Sequence, residues 1–370
     1  MSSTDDDHAL HPFDAVLVQS FGGPEGPDEV LPFLRRVTAG RGVPDERLVE
    51  VGEHYERVGG VSPLPALNRR LVADLTTELD NRGHALPVVL GNRNSAPFVA
   101  DVLDELADDG AQRVAVIATS AWRSYSSCRQ YREDLAEAAV EHPGMSFDKV
   151  RPFGEHPSFA GVVARESVDA VRAAVESVGA DHVALLFITH SIPDSMDETS
   201  GPGDGDGRAY SADQAATGAA ILAEVDTVLG TDLSGGLAFC SRSGSPRTPW
   251  LEPDVNDRIR EFAAEGRIKH VVLIPLGFVS DHMEVVHDLD VEAAETAAEV
   301  GIAMTRVPTP GADPDFVAGL ADLLLERAAE ARGEATVRAT WRDLDSHPSV
   351  CPSGCCPNLR TAKPALCGKD

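Results

Sequence analysis

The sequence predicts a doubly wound α/β protein of two similar lobes, each with a parallel sheet, facing each other across a cleft and followed by a short cysteine-rich extension. Three observations carry this expectation. Apolar runs of strand length alternate with segments of helical period along residues 13–333, the pattern of successive strand–helix units. The chain also resembles itself: Asp14–Phe21 (DAVLVQSF) and His182–Ser191 (HVALLFITHS) open its two halves, and a second similar pair, Arg113–Thr119 and His270–Gly277, follows later in each. So long a period is not that of a solenoid and suits two lobes with a ligand cleft between them. Finally, the composition changes after Gly333: from Ala335 to Asp370 apolar periodicity fades, and four of the six cysteines are found there.

Taken in order, residues 1–12 are polar and acidic, lack an apolar signal core, and read as a disordered leader. The first lobe, 13–155, has expected strands at Ala15–Ser20, Val88–Leu90 and Val114–Ala118, and helices at Asn68–Asn81, Phe98–Asp109 and Arg129–Val140. The boundary falls near Pro152–Pro157. The second lobe, 156–333, has expected strands at Val183–Thr189, Gly236–Phe239 and Val271–Leu276, and helices at Phe159–Val178 and Ala209–Leu229. A final amphipathic helix runs from Asp313 to Arg332, with Asp313 or Asp315 as its cap. The tail, 334–370, needs a staple to be ordered.

Bulk properties narrow the function. Lys and Arg number 32 against 60 Asp and Glu, a formal charge of −28. This opposes non-specific binding to nucleic acid or to an anionic membrane. It fits a solvated acidic surface and, as one reading, a salty cytoplasm. The basic residues are nearly all Arg, so a local cluster can still grip a carboxylate-rich ligand. No stretch approaches the roughly 20 apolar residues of a membrane span. The expected location is the cytoplasm, where six cysteines read as ligands or free thiols before disulfides.

The most informative residue is His190. It closes the run Val183–His190 (VALLFITH), which reads as a strand buried on both faces, and Pro193 turns the chain just beyond it. A buried parallel strand delivers its last residue to the carboxyl edge, where open α/β sheets bind ligands, and histidine exchanges a proton near neutral pH. The equivalent place after Val271–Leu276 carries Phe278–Asp290 (FVSDHMEVVHDLD). On a helix, Glu284 and Asp288 share one face and His287 and Asp290 another. Carboxylates directed into a cleft can take up and pass on a divalent cation or accept protons.

Two tempting loops are set aside. Gly22–Pro27 follows a strand but lacks the spacing of a phosphate-binding loop. Gly201–Gly207, with Asp204 and Asp206, lacks the glutamate of a calcium loop and reads as an exposed, flexible loop, a candidate flap near the cleft. In the tail, Cys351, Cys355 and Cys356 lie within six residues, and Cys128 follows the strand Val114–Ala118. Four such thiols suffice for an iron–sulfur cluster or for zinc, which spacing does not separate. Cys240, inside an apolar strand, reads as a small buried hydrophobe.

These motifs, in this order, resemble the ferrochelatases, which insert ferrous iron into a porphyrin. The matching signatures are Ser20–Pro24 (SFGGP), Gly59–Pro63 (GGVSP), Thr189–Pro193 (THSIP), Ser241–Gly244 (SRSG) with Pro249–Leu251 (PWL), and Gly277–Glu284 (GFVSDHME). The resemblance implies two Rossmann-like lobes around a porphyrin cleft. It implies that His190 accepts a pyrrole proton, positions the substrate Fe2+, or both, and that Glu284 is the facing carboxylate. His282 and Asp288 would orient Glu284 and continue an acidic path. Arg41 and Ser62 would meet porphyrin propionates, with Arg36 and Tyr125 as further substrate-binding candidates. Phe21 stands where several relatives carry a tyrosine facing the metal. The likeness is strongest to actinobacterial members, and it implies coproporphyrin III as substrate, giving coprohaem III, together with a [2Fe–2S] cluster on Cys128, Cys351, Cys355 and Cys356, with Cys367 as alternate ligand. Val61–Arg70 (VSPLPALNRR) shows no long apolar lip of the sort that users of protoporphyrin IX often carry. A protoporphyrin IX ferrochelatase, a cobalt or nickel chelatase, and a non-catalytic porphyrin sensor are the rival readings. Expected partners are porphyrin and ferrous iron, with other haem-pathway enzymes possible and nucleic acid excluded.

Overall fold

The computed structural model describes residues 9–40, 42–243 and 247–370. The first half runs β1 (Ala15–Ser20), α1 (Pro27–Val37), α2 (Asp45–Arg57), α3 (Leu64–Asn81), β2 (Val88–Asn92), α4 (Val99–Asp108), β3 (Arg113–Ala118), α5 (Gln130–Ala138) and β4 (Ser146–Lys149). The second runs α6 (Val162–Val178), β5 (Val183–His190), α7 (Asp194–Glu198), α8 (Ala209–Leu229), β6 (Ser234–Cys240), α9 (Val255–Glu265), β7 (His270–Ile274), α10 (Met283–Val285), α11 (Ala294–Val300), β8 (Ala303–Arg306) and α12 (Pro314–Ala331). Three π-helical turns, Tyr125–Arg129, Pro157–Gly161 and Val286–Ala293, lead into α5, α6 and α11.

Each half forms a four-stranded, all-parallel sheet, in the orders β2-β1-β3-β4 and β6-β5-β7-β8. The two orders are the same, so β5 is the counterpart of β1 and β7 of β3, the correspondence expected from the sequence repeat. The central strands are buried along their length, β1 wholly and β5 up to His190, because helices cover both sheet faces. The edge strands β4 and β8 were not expected. They are short and polar, as edges tend to be, and so carry little of the apolar signal that marks a strand. The charged helices α1, α2 and α9 escaped notice for a similar reason.

One continuous apolar cluster joins the halves, uniting Val16, Val18 and Ile117 with Leu185, Phe187, Val272 and Ile274. The last helix, expected with the second lobe, packs against α3, β3 and β4 of the first. Its buried residues, among them Phe316, Leu320, Leu323 and Leu324, seal the joint. Asp313 caps it, its Oδ1 accepting from the Asp315 N–H at 2.8 Å. The tail has almost no regular structure, yet it is held at both lobes. Arg129 and Arg132 of the first lobe bind its backbone at Lys363 and Leu366 and the Asp370 carboxylate. His347 reaches Asp213 of α8 at 3.3 Å and Glu155 at 3.7 Å.

Candidate active site

β5 ends at His190 because the chain must turn at Ser191–Pro193. β7 ends nearby, and Gly277 makes this possible: its N–H donates to the Ile188 carbonyl at 2.9 Å. A Cβ at Gly277 would lie 2.4 Å from Thr189 Oγ1 and 2.8 Å from Thr189 Cα, so only glycine allows the approach. The turn then leads into α10, whose N-cap is His282; its Nδ1 accepts from the Glu284 N–H at 3.2 Å. These two strand ends bring His190 and Glu284 together, with Nε2 and Oε2 3.4 Å apart. Both side chains line an open edge, 31% and 47% exposed.

The orientation of the imidazole is fixed from its other side. His190 Nδ1–H donates to the Ser191 carbonyl at 2.5 Å, which leaves the Nε2 lone pair directed at Glu284 and the cleft in the neutral ring. Burial disfavours the imidazolium, but the Glu284 charge and hydrogen bond, with help from Ser191, outweigh it and raise the His190 pKa above its ordinary value. Burial likewise disfavours the Glu284 carboxylate; the His190 charge and hydrogen bond, with His282, outweigh it and hold that carboxyl at about 2. The pair is therefore a fixed carboxylate beside a base whose hold on a proton it strengthens, as metal uptake coupled to proton removal requires. His282 Nδ1 lies 4.0 Å from Glu284 Oε2. Burial lowers its pKa against the pull of Glu284, keeping that ring neutral.

Beyond Glu284 the helix widens into the π-helical turn Val286–Ala293, not the regular α-helix expected. Asp288 accepts from Ser241 Oγ and from His287 Nδ1, the latter at 3.1 Å. One ligand atom from each of His287, Asp288 and Glu292 lies within 4.8 Å of the others, an arrangement that suits a divalent cation. His54 of α2 stacks on His287 with ring centroids 4.4 Å apart. Asp290, expected to share a face with His287, instead pairs with Arg306 at 2.6 Å. Neither His54 nor Glu292 stood out in the sequence. A motif in α2 gave no signal, and the extra residue per turn of the π-helix moves Glu292 toward His287, as the 4.0 Å separation shows.

The other sequence-chosen positions belong to the first half of the chain. Phe21 follows β1 and packs edge-on against Phe33, with the Arg93 guanidinium over its ring. Arg36 donates from Nε to the Asn94 carbonyl at 2.9 Å and lies over Phe98. Ser62 is buried, its Cβ just 2.8 Å from where a Cβ at Gly23 would stand. Tyr125 is half-buried in the π-helical turn after β3; its hydroxyl donates to Glu133 at 3.2 Å and accepts from Asn358 at 2.9 Å. Burial, then Glu133, pushes its pKa up to about 12. Arg41 lies outside the described residues, as does Gly244 of the SRSG signature.

With this geometry in view, the chain matches the ferrochelatase family over residues 13–328. The chain belongs to the ferrochelatase family. It is 48% identical over 369 residues to the coproporphyrin III ferrochelatase of Streptomyces griseus subsp. griseus, with 97% of both chains covered. It is 46% identical to that of Streptomyces coelicolor, again over 97% of each. Among solved structures it aligns with the sirohydrochlorin chelatase SirB from Bacillus subtilis subspecies spizizenii at a TM-score of 0.47 and 13% identity, over 86% of this chain and 97% of that one.

This ferrochelatase also gathers four thiols in one place. Cys128, Cys351, Cys355 and Cys356 form a buried cluster of their own. Cys355 and Cys356 Sγ are 3.8 Å apart, all four are free of disulfides, and Arg123 lines the cavity of about 20 Å3 beside them. Without a metal, Cys128 is raised by its hydrogen bond to Cys351 and by burial. Cys355, pulled down by Cys351, is driven up to about 12 by Cys356 and burial. Four soft donors, dry and adjacent, fit a cysteine-ligated metal group. Gly201 N–H donates to Cys356 Sγ at 3.1 Å, the kind of contact that tunes such a group. Cys367 lies apart, its Sγ on the Phe147 carbonyl at 3.4 Å, and Cys240 is packed in an apolar cluster. The Gly201–Gly207 loop, expected to be a flexible flap, is tied to this cluster at one end. Its tip is exposed, but Gly201 is buried, and a Cβ at Gly203 would collide with Gly354 backbone at 2.8 Å.

Proposed function

We propose that this protein inserts ferrous iron into coproporphyrin III, giving coprohaem III for haem biosynthesis in the cytoplasm, alongside other enzymes of that pathway. The observation that carries the reading is the His190–Glu284 pair, 3.4 Å apart where the neighbouring parallel strands β5 and β7 end and the turn after β7 enters α10, in a chain whose relatives are named coproporphyrin III ferrochelatases. Among the described residues no helix is long and apolar enough to cross a membrane.

In this reading His190 Nε2, its lone pair exposed by the Ser191 hydrogen bond, accepts a pyrrole N–H proton. Glu284 remains a carboxylate, exchanges for water on Fe2+ and stabilises the imidazolium that forms. The His287, Asp288 and Glu292 group supplies the acidic path on its far side. Arg36, Arg41, Ser62 and Tyr125 are the proposed partners of the porphyrin carboxylates. A cleft that prefers the bent macrocycle adds complementarity to the transition state. Cys128, Cys351, Cys355 and Cys356 would hold a [2Fe–2S] cluster. Such a cluster supplies one-electron chemistry and a covalent staple for the tail.

The test is anaerobic iron insertion by the purified protein, offered coproporphyrin III and protoporphyrin IX in parallel and followed by absorbance. Multiple turnovers with coproporphyrin III are expected. Preference for protoporphyrin IX would overturn the substrate, and stoichiometric binding without turnover would overturn the reaction in favour of a sensor.

A further inference from the structure

The four-thiol cluster and His190 are far apart in sequence, yet an unbroken run of short, buried contacts joins them. Gly201 exchanges two hydrogen bonds with Cys356: its N–H donates to Sγ at 3.1 Å, and its carbonyl accepts from the Cys356 N–H at 2.9 Å. The neighbouring Ser200 is 1% exposed. Its Oγ donates to the Asp197 carbonyl at 2.7 Å and accepts from the Tyr210 N–H at 2.9 Å. Gly201 has φ +94° and no room for a Cβ, which would lie 2.8 Å from Ala209 Cβ; this turn is therefore clamped onto the start of α8. Tyr210 then spans the remaining gap. Its side chain is buried, and its hydroxyl donates to the His190 carbonyl at 2.9 Å and pairs with Thr189 Oγ1 at 2.8 Å. The His190 ring is oriented by the next carbonyl, that of Ser191. The peptide held by Tyr210 is thus the hinge of the base.

We propose that Tyr210 is a positioning residue that ties His190 to the four-thiol site, so that loading of that site governs iron insertion in the cleft. This rests on the chelatase and cluster readings above. The physical cause is the change in Cys356. As a neutral thiol, Sγ is a weak acceptor; as a metal-bound thiolate it draws the Gly201 N–H strongly. In a buried setting of low dielectric that difference is not absorbed by water. It pulls Gly201 and Ser200 toward the tail, and with them the backbone of Tyr210, whose hydroxyl seats the His190 peptide. When the site is empty, the tail's hold on Gly201 is weaker and the imidazole is held less firmly in its direction. Porphyrin binding depends on other residues and is spared.

The test uses the full chain with Tyr210→Phe, Cys356→Ser and the double variant, with Ser200→Ala as a second break in the same run. Two readouts are taken: the titration of the His190 ring by NMR, assigned with His190→Gln, and kcat and KM for iron insertion. Tyr210→Phe is expected to lower kcat by about tenfold, the scale of one lost buried hydrogen bond, with KM for porphyrin little changed. Its iron and sulfide content should match the parent protein. Cys356→Ser and Ser200→Ala should each shift the His190 titration, and the double variant should be no worse than either parent variant. A His190 titration that is the same in all variants, or losses that multiply in the double variant, overturns the proposal. Absence of iron and sulfide from the parent protein would defeat the cluster reading, and absence of turnover the chelatase reading. In both cases the NMR titration still decides whether Tyr210 and the Gly201 turn position His190, and an unloaded parent overturns the part of the proposal that concerns loading.

Discussion

At the scale of single residues, the site is a base and an acid that set each other's protonation. His190→Ala removes the proton acceptor and leaves the cleft walls intact. The expected result is porphyrin affinity near that of the parent, measured by fluorescence quenching, with iron insertion reduced by about 10²–10⁴-fold. Turnover near the parent's would refute the role. Glu284 is tested by pH. Its charge raises the His190 pKa against the effect of burial, and His190 must be neutral to accept a proton. Activity in kcat/KM therefore falls as pH drops through the His190 value, at a pH above the ordinary imidazole value of about 6.5. Glu284→Gln removes the largest raising influence and leaves burial opposed only by Ser191 and Asp288, so the acid limb should move to lower pH while the maximal rate falls. A limb that stays in place would mean that another group sets it.

At the scale of elements, what positions the pair is the closeness of β5 and β7 at their carboxyl ends. Gly277→Ala would press a methyl group onto the Thr189 backbone and should cost about 1–3 kcal/mol, read as a lower melting temperature. An unchanged melt would show that the strand ends part easily. The tail is tested by colour. Cys355→Ser is expected to give protein without a visible cluster spectrum and with little iron and sulfide, whereas Cys367→Ser should match the parent, since that thiol lies on the Phe147 carbonyl. The reverse pattern would exchange the two as ligands. The central strands and His190 were legible in the sequence because burial on both faces writes an uninterrupted apolar run. The correspondence of β1 with β5 was legible because each opens its half with a similar apolar run, and the two sheets repeat one order. The partners of the acidic segment were not, since the π-helical turn departs from the period assumed and His54 reaches it from another helix. The Gly201–Gly207 loop is exposed at its tip as expected, but its anchoring was not legible, because it depends on glycine-to-glycine contact with the distant cysteine turn.

At the scale of the whole molecule, two opposed electrostatic effects meet. Buried pairs join distant parts: Arg151, fully buried, binds Glu155, Glu326 and the Ala339 carbonyl, linking the end of the first lobe to α12 and the tail. Such pairs are screened little by salt. The surface carries the rest of the −28 charge, and its like charges repel within the compact state. Many arginines there are already matched, as Arg165 is with Asp313 and Asp315, but exposed pairs contribute little each. Screening therefore removes more repulsion than attraction. Raising salt from about 0.1 M to about 1 M shortens the screening length from about 10 Å to about 3 Å, and the melting temperature should rise with it. To separate screening from the general stabilising action of some salts, sodium chloride is compared with an equal osmolality of sucrose. A melting temperature that falls in sodium chloride would mean that the exposed arginine pairs outweigh the net repulsion. A rise equal to that in sucrose would mean that the acidic surface stores no repulsion to relieve.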